Sequence, residues 1–154
     1  MKERWLPVGV LAGVLFAVNV VARLVIRFGF HGDAEVSDRV SLGMFAVIGA
    51  ILAGLAFVWA RRYPVARWAA DVSVAVLVAM ALTVFVGPFL SGSYPFAGGP
   101  GEFFSQIWLY AGFVGGGALV GYLLVTALGL DYRSQSLKRY AEAKQAKPRR
   151  VVRR

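Results

Sequence analysis

Charged residues leave four long gaps in this chain, and the gaps predict its elements. Trp5 to Ala22 carries no charge and continues through Arg23 and Leu24-Val25-Ile26 to Arg27; further uncharged runs extend from Val40 to Ala60, Val72 to Gly101 and Phe103 to Leu130. A helix rises about 1.5 Å per residue, so about 20 apolar residues cross a hydrocarbon core of about 30 Å. The third run is too long for one helix. Gly87-Pro88, Ser91-Gly92-Ser93-Tyr94-Pro95 and Gly98-Gly99-Pro100-Gly101 supply dense breakers, which should stop its helix near Phe89. The pattern predicts an all-α integral membrane protein with four transmembrane helices, at about 5–28, 41–61, 66–89 and 103–129, making up residues 1–130 and followed by a basic tail, 131–154.

Composition agrees, since 58% of the 154 residues are hydrophobic and only 16% charged, against about 25% charged in a soluble domain. Charge adds orientation. Fourteen of the 17 Lys and Arg fall in the N-terminus, the connection at Arg61, Arg62 and Arg67, and the tail; only Arg23, Arg27 and Arg39 lie on the other side. Cytoplasmic loops retain positive charge, so both termini are expected inside, with loops 29–40 and 90–102 outside. Met1-Lys2-Glu3-Arg4 resembles the start of a signal peptide. The apolar run behind it exceeds the usual 7–15 residues or so, however, and Val20-Val21-Ala22 is a poor cleavage site, so the segment reads as an uncleaved first helix. Twenty-two Ala, 23 Val and 13 Arg against four Ile and four Lys point to a GC-rich bacterial genome, and hence to a bacterial inner membrane.

The chemistry is mostly negative. The absence of cysteine excludes thiol redox exchange, thiolate metal sites and iron–sulfur centres. The one histidine, His31, falls in a predicted loop, so a haem held between two histidines cannot be built from this chain alone. None of the eight Asp and Glu lies near the middle of an apolar run, where proton-coupled carriers place a titrating carboxylate. Nor does the sequence offer a nucleophile with a nearby base. No catalytic residue, metal or cofactor is expected.

Three features carry what remains. The last helix contains Gly112, Gly116, Gly117 and Gly121; at about 100° per residue the first pair and the second face nearly opposite sides, so two smooth surfaces are open to close packing, within the bundle or against another chain. Asn19, Arg23 and Arg27 follow at i, i+4 and i+8 on the first helix. Arg23 should stand about 27 Å above Trp5, where it either snorkels, with Asp33, Glu35 or Asp38 as partner, or holds an anionic headgroup. Finally, the tail carries nine cations, Arg133, Lys138, Arg139, Lys144, Lys147, Arg149, Arg150, Arg153 and Arg154, against two anions, and should be helical from Ser134 to Ala146. Anionic lipid or an acidic protein is its natural contact; Tyr132 and Tyr140 are too few aromatics for nucleic acid. Asp71, four residues after Arg67, should cap the third helix, and the aromatic loop around Tyr94 and Phe96 should lie against the bilayer. Together these features suggest a non-catalytic accessory or assembly subunit of a larger membrane complex. The alternative is a small homo-oligomeric transporter or channel for a lipid or anion.

Overall fold

The structure, a computed structural model, describes residues 2–29, 34–90 and 92–145. Among these residues the regular elements are all helical: α1 (Lys2–Gly29), α2 (Ala34–Arg62), α3 (Val65–Ala81), a π-helical segment (Leu82–Val86), α4 (Gly87–Leu90), α5 (Gly99–Ala127) and α6 (Tyr132–Gln145). The stretch Val65–Leu90 is one continuous rod, so four helices (α1, α2, this rod and α5) are long and apolar enough to cross a membrane. This is the make-up of a multi-pass membrane protein.

Two helices begin well before the starts predicted for them, 41 and 103. α2 starts at Ala34 because Glu35 and Arg39, one turn apart, pair across the helix surface and extend it beyond its apolar part. α5 starts at Gly99, with Pro100 and Glu102 in its first turn. Pro there lacks an N–H that has no helical partner anyway, and a carboxylate favours the positive end of the helix. Residues that read as breakers therefore open the helix. A correction applies to Asp71: α3 begins at Val65 behind the N-cap residue Pro64, so its first turn holds no acid and Asp71 lies beyond it.

The π segment has a local cause. Pro88 has no N–H to give the Val84 carbonyl, and its ring crowds that carbonyl. A wider turn relieves the crowding, and the Gly87 N–H bonds the Leu82 carbonyl, five residues back.

Small and medium side chains fill the interior: Leu15, Ile48, Leu52, Ala75, Ala79 and Val125 are fully buried. α2 packs most extensively on α5, and α1 on α3 and α2. The Val65–Leu90 rod and α5 meet less, Trp68 against Tyr122 near one end and Phe85 against Phe103 near the other. α5 ends on a Schellman turn, in which Leu130 N–H bonds Val125 O and Gly129 N–H bonds Thr126 O, with Gly129 at φ +62°. Asp131 then caps α6, accepting the Ser134 backbone N–H on Oδ2 at 3.2 Å. α6 buries none of its residues.

Candidate functional site

The four glycines of α5 part company. A Cβ on Gly117 would collide with the Gly49 carbonyl, and one on Gly121 with the Ala53 carbonyl, so this pair is where α2 and α5 touch backbone to backbone. Gly112 and Gly116 have nothing within 4 Å of the same position. They floor an open groove between α2 and α5, about 980 Å³ in volume, whose walls include Ala46, Ala50, Trp108 and Val120. Trp108 is 76% exposed on its rim. One glycine face is thus consumed inside the bundle, and the other is a long apolar furrow with small residues at its base.

The polar stripe of α1 turns inward. Asn19 is 1% exposed; its amide donates to Met44 Sδ on α2 at 3.2 Å and its carbonyl accepts Arg23 Nε at 3.2 Å. That bond orients the guanidinium toward α4, where a Cβ on Gly87 would lie 2.7 Å from Arg23 Nε and 3.0 Å from Asn19 Oδ1. The missing side chain of Gly87 therefore makes room for Arg23. Arg27, one turn on, is exposed, and its Nη1 donates to the Leu90 carbonyl at 2.8 Å. A cation at that position suits the negative end of the rod. Asn19 and Arg23 are brought together; Arg27 stands apart as a cap.

Above Asn19 the helices diverge around a polar cavity of about 340 Å³. Arg23, Asp38, Thr83, Ser93, Glu102 and Gln106 border it over an apolar base that includes Phe45 and Leu109. Glu102 acts electrostatically on Arg23, and its carboxylate folds back over Gly98 at the start of α5. Thr83, in the π segment, is 3% exposed and its hydroxyl has no hydrogen-bond partner. Of the acids expected beside the arginines, Asp38 borders this cavity, Glu35 pairs with Arg39, and Asp33 lies outside the described residues, as does His31.

Thr83, Gly87 and Glu102 were missed as site residues from sequence. Gly87 is the signal that was available, because a glycine within an apolar helical run leaves room for a neighbouring group to approach closely. Phe96 of the aromatic loop stacks on Phe103 at 4.8 Å, so part of that loop folds onto its own helix, while Tyr94 stays exposed. In the tail, Lys138, Arg139 and Lys144 are exposed on α6; Lys147, Arg149, Arg150, Arg153 and Arg154 lie outside the described residues. Among the described residues no three His, Asp or Glu side chains gather closely enough to hold a metal. Comparisons with protein-family models, with curated proteins and with solved structures give no match.

Proposed function

We propose that this chain is a non-catalytic accessory or assembly subunit of a larger bacterial inner-membrane complex, with both termini cytoplasmic, and that the groove between α2 and α5 receives a membrane helix of another subunit. The observation that carries this reading is the open face of Gly112 and Gly116. In lipid, helices associate by close van der Waals packing and not by escape from water, so a small-residue floor is worth most where a second backbone can settle into it. The shape favours a foreign helix over a second copy. A symmetric pair would set concave groove against concave groove and leave a void between them. The positive-inside count supports the orientation, and the Ala, Val and Arg bias supports the bacterial source.

The two glycine faces provide the test. Gly117→Leu drives a side chain into the α2 backbone and should lower the melting temperature of the isolated protein, overpacking typically costing about 1–3 kcal/mol. Gly116→Leu points into the open groove and should leave that melting temperature unchanged while releasing the foreign subunits that co-purify stoichiometrically in mild detergent. A photo-crosslinker at Trp108 should join this chain to the same subunits. If Gly116→Leu retains them, the groove is not the docking face. An adduct of two copies of this chain at Trp108 instead favours the homo-oligomeric carrier of lipid or anion.

A further inference from the structure

We infer that the polar cavity between Asn19 and Glu102 is a binding site for a small zwitterion, one that carries a phosphate next to a primary amine. This site adjoins the groove, Ser105 and Leu109 lining both, and does not depend on the accessory-subunit reading. Three features of the cavity carry it.

The first is the mixture of charge. Arg23, Asp38 and Glu102 border one space of about 340 Å³. A simple anion entering toward Arg23 meets two carboxylates, and a simple cation meets a guanidinium held in place by Asn19. A ligand with both signs a few bonds apart satisfies the cavity in a single orientation, its phosphate on Arg23 and its amine toward Asp38 and Glu102. The second is Thr83, whose hydroxyl is buried at the edge of the cavity without a partner. Buried hydroxyls are nearly always bonded, and one left over at a cavity wall points to a group that arrives from outside. The third is size and depth. The volume lies at the lower end of the 300–1,000 Å³ or so typical of small-ligand sites. Arg23, about 27 Å along α1 from Trp5, comes at the level of lipid headgroups if Trp5 marks the opposite interface.

The same chemistry has two sources, the headgroup of phosphatidylethanolamine and free phosphoethanolamine. Purified protein should be examined by native mass spectrometry after exchange into equal amounts of phosphatidylethanolamine and phosphatidylglycerol, and by calorimetric titration with soluble phosphoethanolamine. The expected result is retention of the zwitterionic lipid over the anionic one by about tenfold, the worth of one charge-assisted hydrogen bond. Asp38→Asn combined with Glu102→Gln should abolish that preference. Thr83→Val removes an unpaired buried hydroxyl, so it should leave the melting temperature unchanged or raise it while weakening retention severalfold. A merely structural threonine would not give that combination. Binding of the soluble zwitterion as well as the lipid identifies a free ligand, and binding of the lipid alone identifies a headgroup; either supports the site. Equal retention of the two lipids with no binding of phosphoethanolamine overturns it. So does parent-like retention in both the double variant and Thr83→Val.

Discussion

Asn19 brings one amide into a helix whose buried neighbours, Leu11, Ala12 and Leu15, are all apolar, and that amide decides where Arg23 points. A guanidinium at this depth has two ways to lower its cost: to reach outward for water, or to find fixed acceptors within the protein. The Asn19 carbonyl supplies such an acceptor one turn back, and Gly87 supplies the space. Gly87→Ala should therefore displace Arg23. A methyl group at 2.7 Å from Nε forces the guanidinium or α4 to move, and the melting temperature should fall by an amount equivalent to about 1–3 kcal/mol. The diagnostic is coupling. In Arg23→Leu the obstructing nitrogen is gone, so adding Gly87→Ala to that background should cost much less than it does in the parent. Equal costs in the two backgrounds would mean that Gly87 is small for some reason other than Arg23.

At the scale of elements, the uncharged runs made the four long helices legible, because a lipid-solvated helix must be apolar for about 20 residues whatever it packs against. Their ends were less legible. The run of uncharged residues measures only the part that must be apolar, and Glu35, Arg39 and Glu102 extend α2 and α5 past it. The direction of each glycine face was not legible at all: both pairs have the same composition, and only the position of α2 assigns Gly117 and Gly121 to the interior. The cavity escaped for a similar reason, since Asn19, Thr83 and Glu102 are far apart in the chain and meet only when four helices are assembled. α6 was visible as a helix, and its stability has a pH dependence that follows from its cap. The Ser134 hydroxyl holds the Asp131 carboxyl below its ordinary value of 3.8, outweighing the upward push of burial, and the N–H groups of the first turn add to it. A depressed carboxyl contributes stability that is complete above its unfolded value and is lost as pH falls through its lower folded value. Protection of the Ser134 amide from hydrogen exchange should accordingly persist below pH 3.8 and then collapse. In Asp131→Asn the same amide should show no transition in that window, and a transition retained there would assign the titration to another group.

For the whole molecule, charge and packing are distributed in opposite places. Among the described residues the four-helix bundle holds every buried residue except Asp131, whereas residues 131–154 contain nine of the 17 cations, and α6 buries none of its side chains. A segment outside the core can be removed without unfolding it, and electrostatic attachment is the work proposed for it. Truncation after Arg133 should leave a bundle with a melting temperature close to the parent's, because both bonds of the Schellman turn at Gly129 and Leu130 lie within the end of α5, and only the bond from Gln135 Nε2 to the Leu130 carbonyl is lost there. What should change is binding to a negatively charged surface. A juxtamembrane cation contributes about 1 kcal/mol when well placed, and the attraction is screened over about 10 Å at 0.1 M salt. Intact protein should therefore hold the proposed partner subunits, or anionic liposomes, more strongly at low salt, and the difference from the truncated form should shrink as salt rises. Loss of subunits with liposome binding unchanged would assign the tail to an acidic protein partner, and the reverse to lipid. Equal retention of both forms across the salt series would reduce the tail to an orientation signal and leave the groove of Gly112 and Gly116 as the remaining structural support for the accessory-subunit reading.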